Sequence, residues 1–418
     1  MELALYTLRA VAYAIIEPSM ALVMLAIGIM FYMQNKKVAA MQRMIIGERL
    51  CSPLELTLSQ MVLGIFAGTL ASLMLTSLGV VFNENSGIEI LFIISVLLML
   101  YKPRFFCFSY SAAILGMISI ISSIICSNIG QPSPIKVNIT SLITFVGILH
   151  VVEGLLVMLD GTKGAVPVFT NRDDKIMGGF ALKRNWALPI AIIIAGSGYG
   201  KVGFDSLPIL NSKELILALA TAAMTIIPYY GVVGYNTVTF TRTKREKSLQ
   251  VGFTILVYGA IITLVAQTCR LGLPFEIFAV LITPIAHEGV MILQRNLEAK
   301  RKPKFVSDEN GVVVLEVSPN SQAYIEGIKS GDRILEINDN KVNSELEVYT
   351  AIKQSYMGTS MKIKNSKGEI VDKLFNFDKT KRIGVVLVPL MVKQDDVIDF
   401  NAEKFKDVLD KIRKKDEH

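Results

Sequence analysis

Gly311-Val-Val-Val-Leu-Glu-Val-Ser-Pro-Asn-Ser-Gln-Ala323 and, three residues on, Gly327-Ile-Lys-Ser-Gly-Asp-Arg-Ile-Leu-Glu-Ile-Asn338 decide how the C-terminal part of this chain folds. Val312–Val317 is an apolar, β-branched run behind a glycine, which predicts a strand. Ser318-Pro-Asn-Ser321 supplies a hydroxyl cap for a short helix over Gln322–Lys329, and Ser330-Gly331 stops it. A second strand follows at Arg333–Asn338, with a turn at Asp339-Asn340 and an amphipathic helix over Ser344–Ser355. Strands at Met361–Asn365 and Ile370–Phe375 flank the turn Ser366-Lys-Gly368, and a last strand runs through Ile383–Val388. The pattern is that of a small α+β domain spanning 303–390.

Upstream of it the composition changes. Of 418 residues, 52% are hydrophobic and 19% charged, with a mean hydropathy of +0.48. That excludes intrinsic disorder and is too apolar for a soluble enzyme of this length. Residues 1–300 hold 22 Lys+Arg and 16 Asp+Glu, whereas the 118 residues after them hold 21 and 20. The break near residue 300 separates a membrane-embedded part, 1–300, from a soluble part. Most of the net charge of +7 lies in the first part. There it fits loop charge beside lipid, and no Lys/Arg stripe interleaved with aromatics points to nucleic acid.

A bilayer core takes about 20 apolar helical residues. Candidate spans are 11–33, 54–82, 88–101, 105–126, 138–159, 186–204, 214–236, 250–269 and 273–294, the first interrupted by Glu17-Pro18 and the last by Pro284. About eight or nine transmembrane helices are expected. With the N-terminus outside, loops 34–53, 102–104, 160–185, 237–249 and 295–304 carry 20 Lys/Arg on the inner side, against five outside. Positive charge is retained in the cytoplasm, so the C-terminal domain is expected there. The N-terminus lacks the layout of a cleaved signal, so the first helix is expected to remain. Trp186, at a loop–helix boundary, reads as an interfacial anchor.

Ionisable residues inside spans are costly and become functional candidates: His150, Glu153, His287 and Glu288, together with Glu17 and Glu276. His150 and Glu153 share a helix face at i, i+3. His287-Glu288 begins a zinc-protease motif that needs a second histidine one turn on, but position 291 is Met. These residues are expected to hold helices together, and no metal or cofactor is expected. Cys51, Cys107, Cys126 and Cys269 show no metal-ligand spacing and sit in or beside apolar segments, where cysteine packs as a small hydrophobe. Gly198-Tyr-Gly-Lys-Val-Gly203 has the letters of a dinucleotide loop but follows no predicted strand. In the 160–185 loop, Val166–Thr170 and Ile176–Leu182 around a polar turn read as a β-hairpin, serving as a docking patch or a rigid connector.

The Gly311–Asn338 pattern resembles the bacterial PDZ domain over roughly 85 residues, through the run Gly331-Asp-Arg-Ile-Leu-Glu-Ile-Asn338 after the short helix. The resemblance implies capture of an extended peptide, often a chain terminus, by strand addition. In the permuted bacterial form the carboxylate-binding loop comes late, where this chain has Lys381-Arg382-Ile383-Gly384-Val385-Val386. It implies that the amides of Ile383, Gly384 and Val385 hold a terminal carboxylate, with positive charge from Lys381 or Arg382 and a pocket lined by the 344–355 helix. On that view Gly384→Trp fills the loop and leaves the core intact. The tail 391–418 is expected to form an amphipathic helix, with Phe400, Phe405, Val408, Leu409 and Ile412 on one stripe.

The whole architecture, a polytopic α-helical membrane domain followed by one cytoplasmic PDZ domain and a C-terminal helix, resembles the MinJ-like family of division-topology proteins of Gram-positive rods. The resemblance implies a non-enzymatic scaffold in the cell membrane, at septa and poles, that bridges DivIVA and MinD and touches membrane lipids. Two other classes share parts of the pattern: a site-2-type intramembrane metalloprotease and a PDZ-regulated transporter. The missing second histidine weighs against the first, and the lack of an internal repeat against the second.

Overall fold

The computed structural model describes residues 2–47, 50–102, 105, 107–172, 175–195, 224–355, 358–378 and 383–390. The helices of the first part are α1 (Glu2–Ile16), α2 (Pro18–Ile46), α3 (Pro53–Ser77), α4 (Ile88–Tyr101), α5 (Phe108–Ile129), α6 (Ile139–Asp160), α7 (Lys244–Thr268) and α8 (Leu273–Ala299). Among the described residues six of them, α2, α3 and α5 to α8, are long and apolar enough to cross a membrane. Apolar side chains on these helices point outward, Phe66 at 69% and Leu264 at 71% exposure among them, as lipid contact requires. Glu17-Pro18 ends α1 and starts α2: Glu17 caps the Met20 amide at 2.9 Å, and proline takes the first helical position, where its missing N–H costs nothing.

The sequence reading of helical spans at 186–204 and 214–236 is corrected by the structure. Their described parts are strands. β2 (Val166–Arg172), β3 (Lys175–Ala195) and β4 (Met224–Thr239) form an antiparallel sheet in which β3 pairs with β4 from Phe180↔Thr239 to Ala195↔Met224. A short β1 (Val81–Asn83) runs parallel to the end of β3. The expected 160–185 hairpin is present as β2–β3, whereas the glycine-rich 198–203 stretch lies outside the described residues.

A sheet among helices apolar enough for a membrane must satisfy its backbone internally. Between the stretches paired with β2 and β1, the open edge of β3 is covered by α3. Gly64 and Gly68 bring that helix so close that an added Cβ would meet the backbone of Ala187 and Pro189. One turn later the Ser72 hydroxyl accepts the Ala191 amide at 2.9 Å, and Pro189 has no amide to satisfy. Helices α6 and α7 meet in the same manner. Gly147 faces Gly259 and Gly154 faces Gly252, each pair at backbone contact and each spaced by seven residues on its own helix.

Trp186 is not an interfacial anchor. It is fully buried, stacked on Tyr235, with its indole N–H donating to Asp160 at 3.1 Å. The same carboxylate accepts from Arg184, Ser59 and Lys163, so α3, α6 and β3 converge on one buried ion pair.

The C-terminal domain comprises β5 (Phe305–Val306), β6 (Val312–Val317), α9 (Gln322–Ile325), β7 (Arg333–Ile337), β8 (Asn340–Lys341), α10 (Glu345–Gln354), β9 (Thr359–Lys364), β10 (Ile370–Phe375) and β11 (Val385–Leu387). The sheet order is β10-β9-β7-β6-β11. Its own core contains Val312, Val314, Ile334, Ile337, Val348, Ile352, Val385 and Leu387. The alternate residues of the same strands, Val313, Leu315, Val386 and Val388, join Phe305 and the β3 residues Ile176 and Phe180 in the main core of the first part. β5 pairs with Met177 and Gly178 of β3, and Lys244 at the start of α7 pairs with Glu316. The hairpin therefore docks the chain's own C-terminal domain. The tail 391–418 lies outside the described residues.

Candidate functional site

β11 is the last strand of its sheet. Its outer side runs beside α10, and α2 packs against it. Helix α10 is placed by its N-terminus: Ser344 caps the Glu347 amide at 3.2 Å and the Glu347 carboxylate accepts the Asn343 amide at 2.8 Å. The Asn343 amide and the Ser344 hydroxyl hold the Glu347 carboxyl below its ordinary range, while burial raises that of Glu345. Val348 and Ile352 anchor the helix in the core. Tyr349, between them, reaches across to β11, and its hydroxyl donates to the Val385 carbonyl at 2.9 Å.

The direction of that carbonyl follows from strand pairing. The Ser318 amide donates to the Gly384 carbonyl at 2.8 Å, and Val385 stands opposite Val317. In an antiparallel ladder, residues alternate between facing the partner strand and facing away, so Val385 presents its N–H and C=O to the open edge. An incoming strand bonds at that residue, and there Tyr349 already takes one position.

The loop before β11 is only partly as expected. Lys381 and Arg382 lie outside the described residues. Ile383 is half-buried and its carbonyl accepts the Ala323 amide at 3.1 Å, which ties the loop to α9. Val385 and Val386 are buried on opposite sides of β11. Gly384 has φ 77°, a left-handed conformation, and an added Cβ would fall on Ser321, with its Oγ 2.8 Å away. The vacant side-chain position of Gly384 thus faces the α9 cap, and the expectation that Gly384→Trp would fill the loop without harm to the fold is overturned. Even Gly384→Ala is expected to destabilise the C-terminal domain, by about 2–4 kcal/mol from strain and overlap together. Limited proteolysis of residues 303–390 in the full-length variant measures this.

The intramembrane candidates are brought together by folding. His150 on α6 and His287 on α8 stack edge to face with ring centroids 5.7 Å apart. Glu153 lies 4.0 Å from the His150 Nε2, and Glu288 accepts the Tyr110 hydroxyl. Sequence reasoning set Cys107 aside as a packing residue, yet it belongs to this group: its Sγ is 3.0 Å from His150 Nε2. No spacing rule links positions 107, 150 and 287, since only the crossing of α5, α6 and α8 joins them.

Residues 303–373 match the family model of the PDZ domain. The match covers the short helix, the Gly331-Asp332 turn and α10, and ends before β11. No curated protein and no solved structure matched the chain. The chain therefore carries a PDZ domain and several helices that are apolar enough for a membrane.

Proposed function

We propose that the protein is a non-enzymatic membrane adaptor that captures an extended peptide or chain terminus of a partner on the outer edge of β11. The observation that carries the reading is the outward-facing backbone of Val385 beside α10. An added strand gains main-chain hydrogen bonds there, and side-chain pockets against α10 supply selectivity. The amides of Ile383, Gly384 and Val385, with Lys381 or Arg382, are the groups proposed to meet a terminal carboxylate.

The cytoplasm is the proposed side for the PDZ domain. The basic loops 34–53, 160–185, 237–249 and 295–304 all lie at the end of the helices that meets this domain, as the contacts Gln42–Ala165, Lys244–Glu316 and Glu298–Thr241 indicate. Replacing the expected helices 186–204 and 214–236 by strands removes an even number of crossings, so that change leaves loops 237–249 and 295–304 on the same side as loop 160–185. Together with a single PDZ domain after the helices, this supports the finer proposal drawn from the MinJ-like resemblance: a bridge between DivIVA-like and MinD-like proteins at septa and poles.

The test is co-purification with the intact protein and with a version lacking 303–390, alongside fluorescence localisation of both. Loss of septal position and of a DivIVA-like or MinD-like partner on deletion supports the proposal; identical partners and positions for both forms sink it. A sharper expectation concerns Tyr349→Phe, which frees the Val385 carbonyl at little cost in packing. One hydrogen bond is worth about 1 kcal/mol, so peptides that bind the groove should bind roughly fivefold tighter to the variant, as read by fluorescence polarisation.

A further inference from the structure

We propose that Cys107, His150 and His287 form a binding site for a zinc-class divalent ion at the junction of α5, α6 and α8. One donor atom from each lies within 4.8 Å of the other two. Metal bonds of about 2.0 Å to nitrogen and 2.3 Å to sulfur, at tetrahedral angles, leave donor atoms roughly 3.3–3.7 Å apart. The Cys107 Sγ to His150 Nε2 distance is 3.0 Å, so an ion enters with a small outward shift of the side chains.

The groups around the three ligands are arranged as a metal site needs. His150 Nδ1 is 2.8 Å from the Val146 carbonyl, which can only accept, so the ring proton sits on Nδ1 and the Nε2 lone pair faces the sulfur. His287 Nδ1 is 3.2 Å from the Tyr110 hydroxyl, which orients that ring in the same way. Helix glue needs only one donor and one acceptor between two helices. Here a thiol at the cap of α5 and imidazoles on α6 and α8 converge, with each imidazole oriented from behind. An S,N,N donor set selects zinc, cobalt or copper over magnesium and calcium.

The fourth position lies toward Glu153, one turn beyond His150, and Ser109, whose hydroxyl is 3.3 Å from Nε2 and 2.9 Å from the Tyr258 hydroxyl. His150 and His287 stand ten to twelve residues from the ends of α6 and α8 that meet the PDZ domain, which is about 15–18 Å along each helix axis. The ion would therefore sit deep in the bundle and pin the first turn of α5 to the two helices that lead to the PDZ domain. Binding exchanges the thiol proton for the metal bond, so one proton is released per ion bound.

The experiment uses full-length protein extracted in detergent without chelator. Wild type is expected to hold about one zinc per chain by plasma mass spectrometry. After replacement by cobalt it should show a thiolate-to-cobalt charge-transfer band. Cys107→Ser and His287→Ala should each lower zinc content at least tenfold, and Cys107→Ser should abolish the band, while Cys126→Ser leaves both unchanged. Wild type that holds less than a tenth of an equivalent after incubation with zinc, and shows no cobalt band, overturns the proposal, as does equal zinc in wild type and both ligand variants. The cobalt spectrum of wild type decides the matter even where a variant misfolds.

Discussion

Gly68→Leu is expected to destroy the folded membrane domain, and Gly64→Leu to do nearly as much. An added Cβ at Gly68 falls on the Pro189 carbonyl, with the Pro189 nitrogen 2.9 Å away; at Gly64 it falls on the Ala187 carbonyl, with the carbonyl carbon 2.9 Å away. The obstacles are backbone atoms, so no rotamer change relieves them. β3 cannot retreat either, because its far edge is paired with β4 through sixteen consecutive positions. Ordinary overpacking costs about 1–3 kcal/mol. With both backbones immobile, and with Ser72 pulled off the Ala191 amide, the cost should exceed about 4 kcal/mol. Trp186, the only tryptophan, is buried on β3 against Tyr235 and Asp160, next to the Gly64 contact at Ala187 and close to the Gly68 contact at Pro189, and reports the outcome directly. Its fluorescence should lose the cooperative thermal transition in detergent. Gly289→Ala is the matched control: nothing lies within 4 Å of its added Cβ, so the change should be neutral or stabilise α8 by about 0.5–1 kcal/mol. Equal transitions for wild type and Gly68→Leu would refute the close packing of α3 on the sheet.

Asp160→Ala should be almost as damaging. Its carboxylate receives Arg184 through two nitrogens, the Trp186 indole at 3.1 Å, the Ser59 hydroxyl at 2.8 Å and Lys163 at 3.1 Å. Asp160 and Arg184 are each 1% exposed, so removing the acid leaves a guanidinium in the interior with no counter-charge from this residue. Breaking a buried pair from one side costs about 3–5 kcal/mol, whereas replacing both partners by apolar groups is far milder. The single variants Asp160→Ala and Arg184→Met should therefore each destabilise more than the double variant Asp160→Leu/Arg184→Met. Strictly additive losses in the same Trp186 thermal assay would show that the pair is not coupled.

How far the sequence carried the fold depended on the length scale of the signal. The C-terminal domain was legible because its cues are local: a hydroxyl cap at Ser321, a glycine turn at Gly331, and strands of alternating inward residues. The strands at Val312–Val317, Arg333–Ile337 and Ile370–Phe375 fall where they were expected. Two elements are shorter, α9 at Gln322–Ile325 and β11 at Val385–Leu387. β3 and β4 failed for an identifiable reason. β3 is buried on both faces and so reads as a continuous apolar run, and β4, though only partly buried, is nearly as apolar; composition alone distinguishes neither from a helix. The discriminating signal was there in Ile190, Ile192, Ile193 and Ile194, in Val232 and Val233, and in Pro189 and Pro228, which suit extended backbone and not a helix interior. For the intramembrane cluster the two histidines and Glu153 were flagged by their cost in lipid. Cys107 carries no such cost and could be found only once α5 was placed.

The two hydrogen-bonded positions of β5 on β3 give the PDZ domain a fixed bearing. A domain on a loose tether samples a sphere of orientations and meets any terminus within reach. This one holds its groove at one height and one azimuth above the helices, against α2. On the proposed reading it acts as a gauge of approach: a partner chain would have to arrive at that elevation and along the direction of β11, and a terminus of the right chemistry at the wrong distance from the helices would find no place to dock.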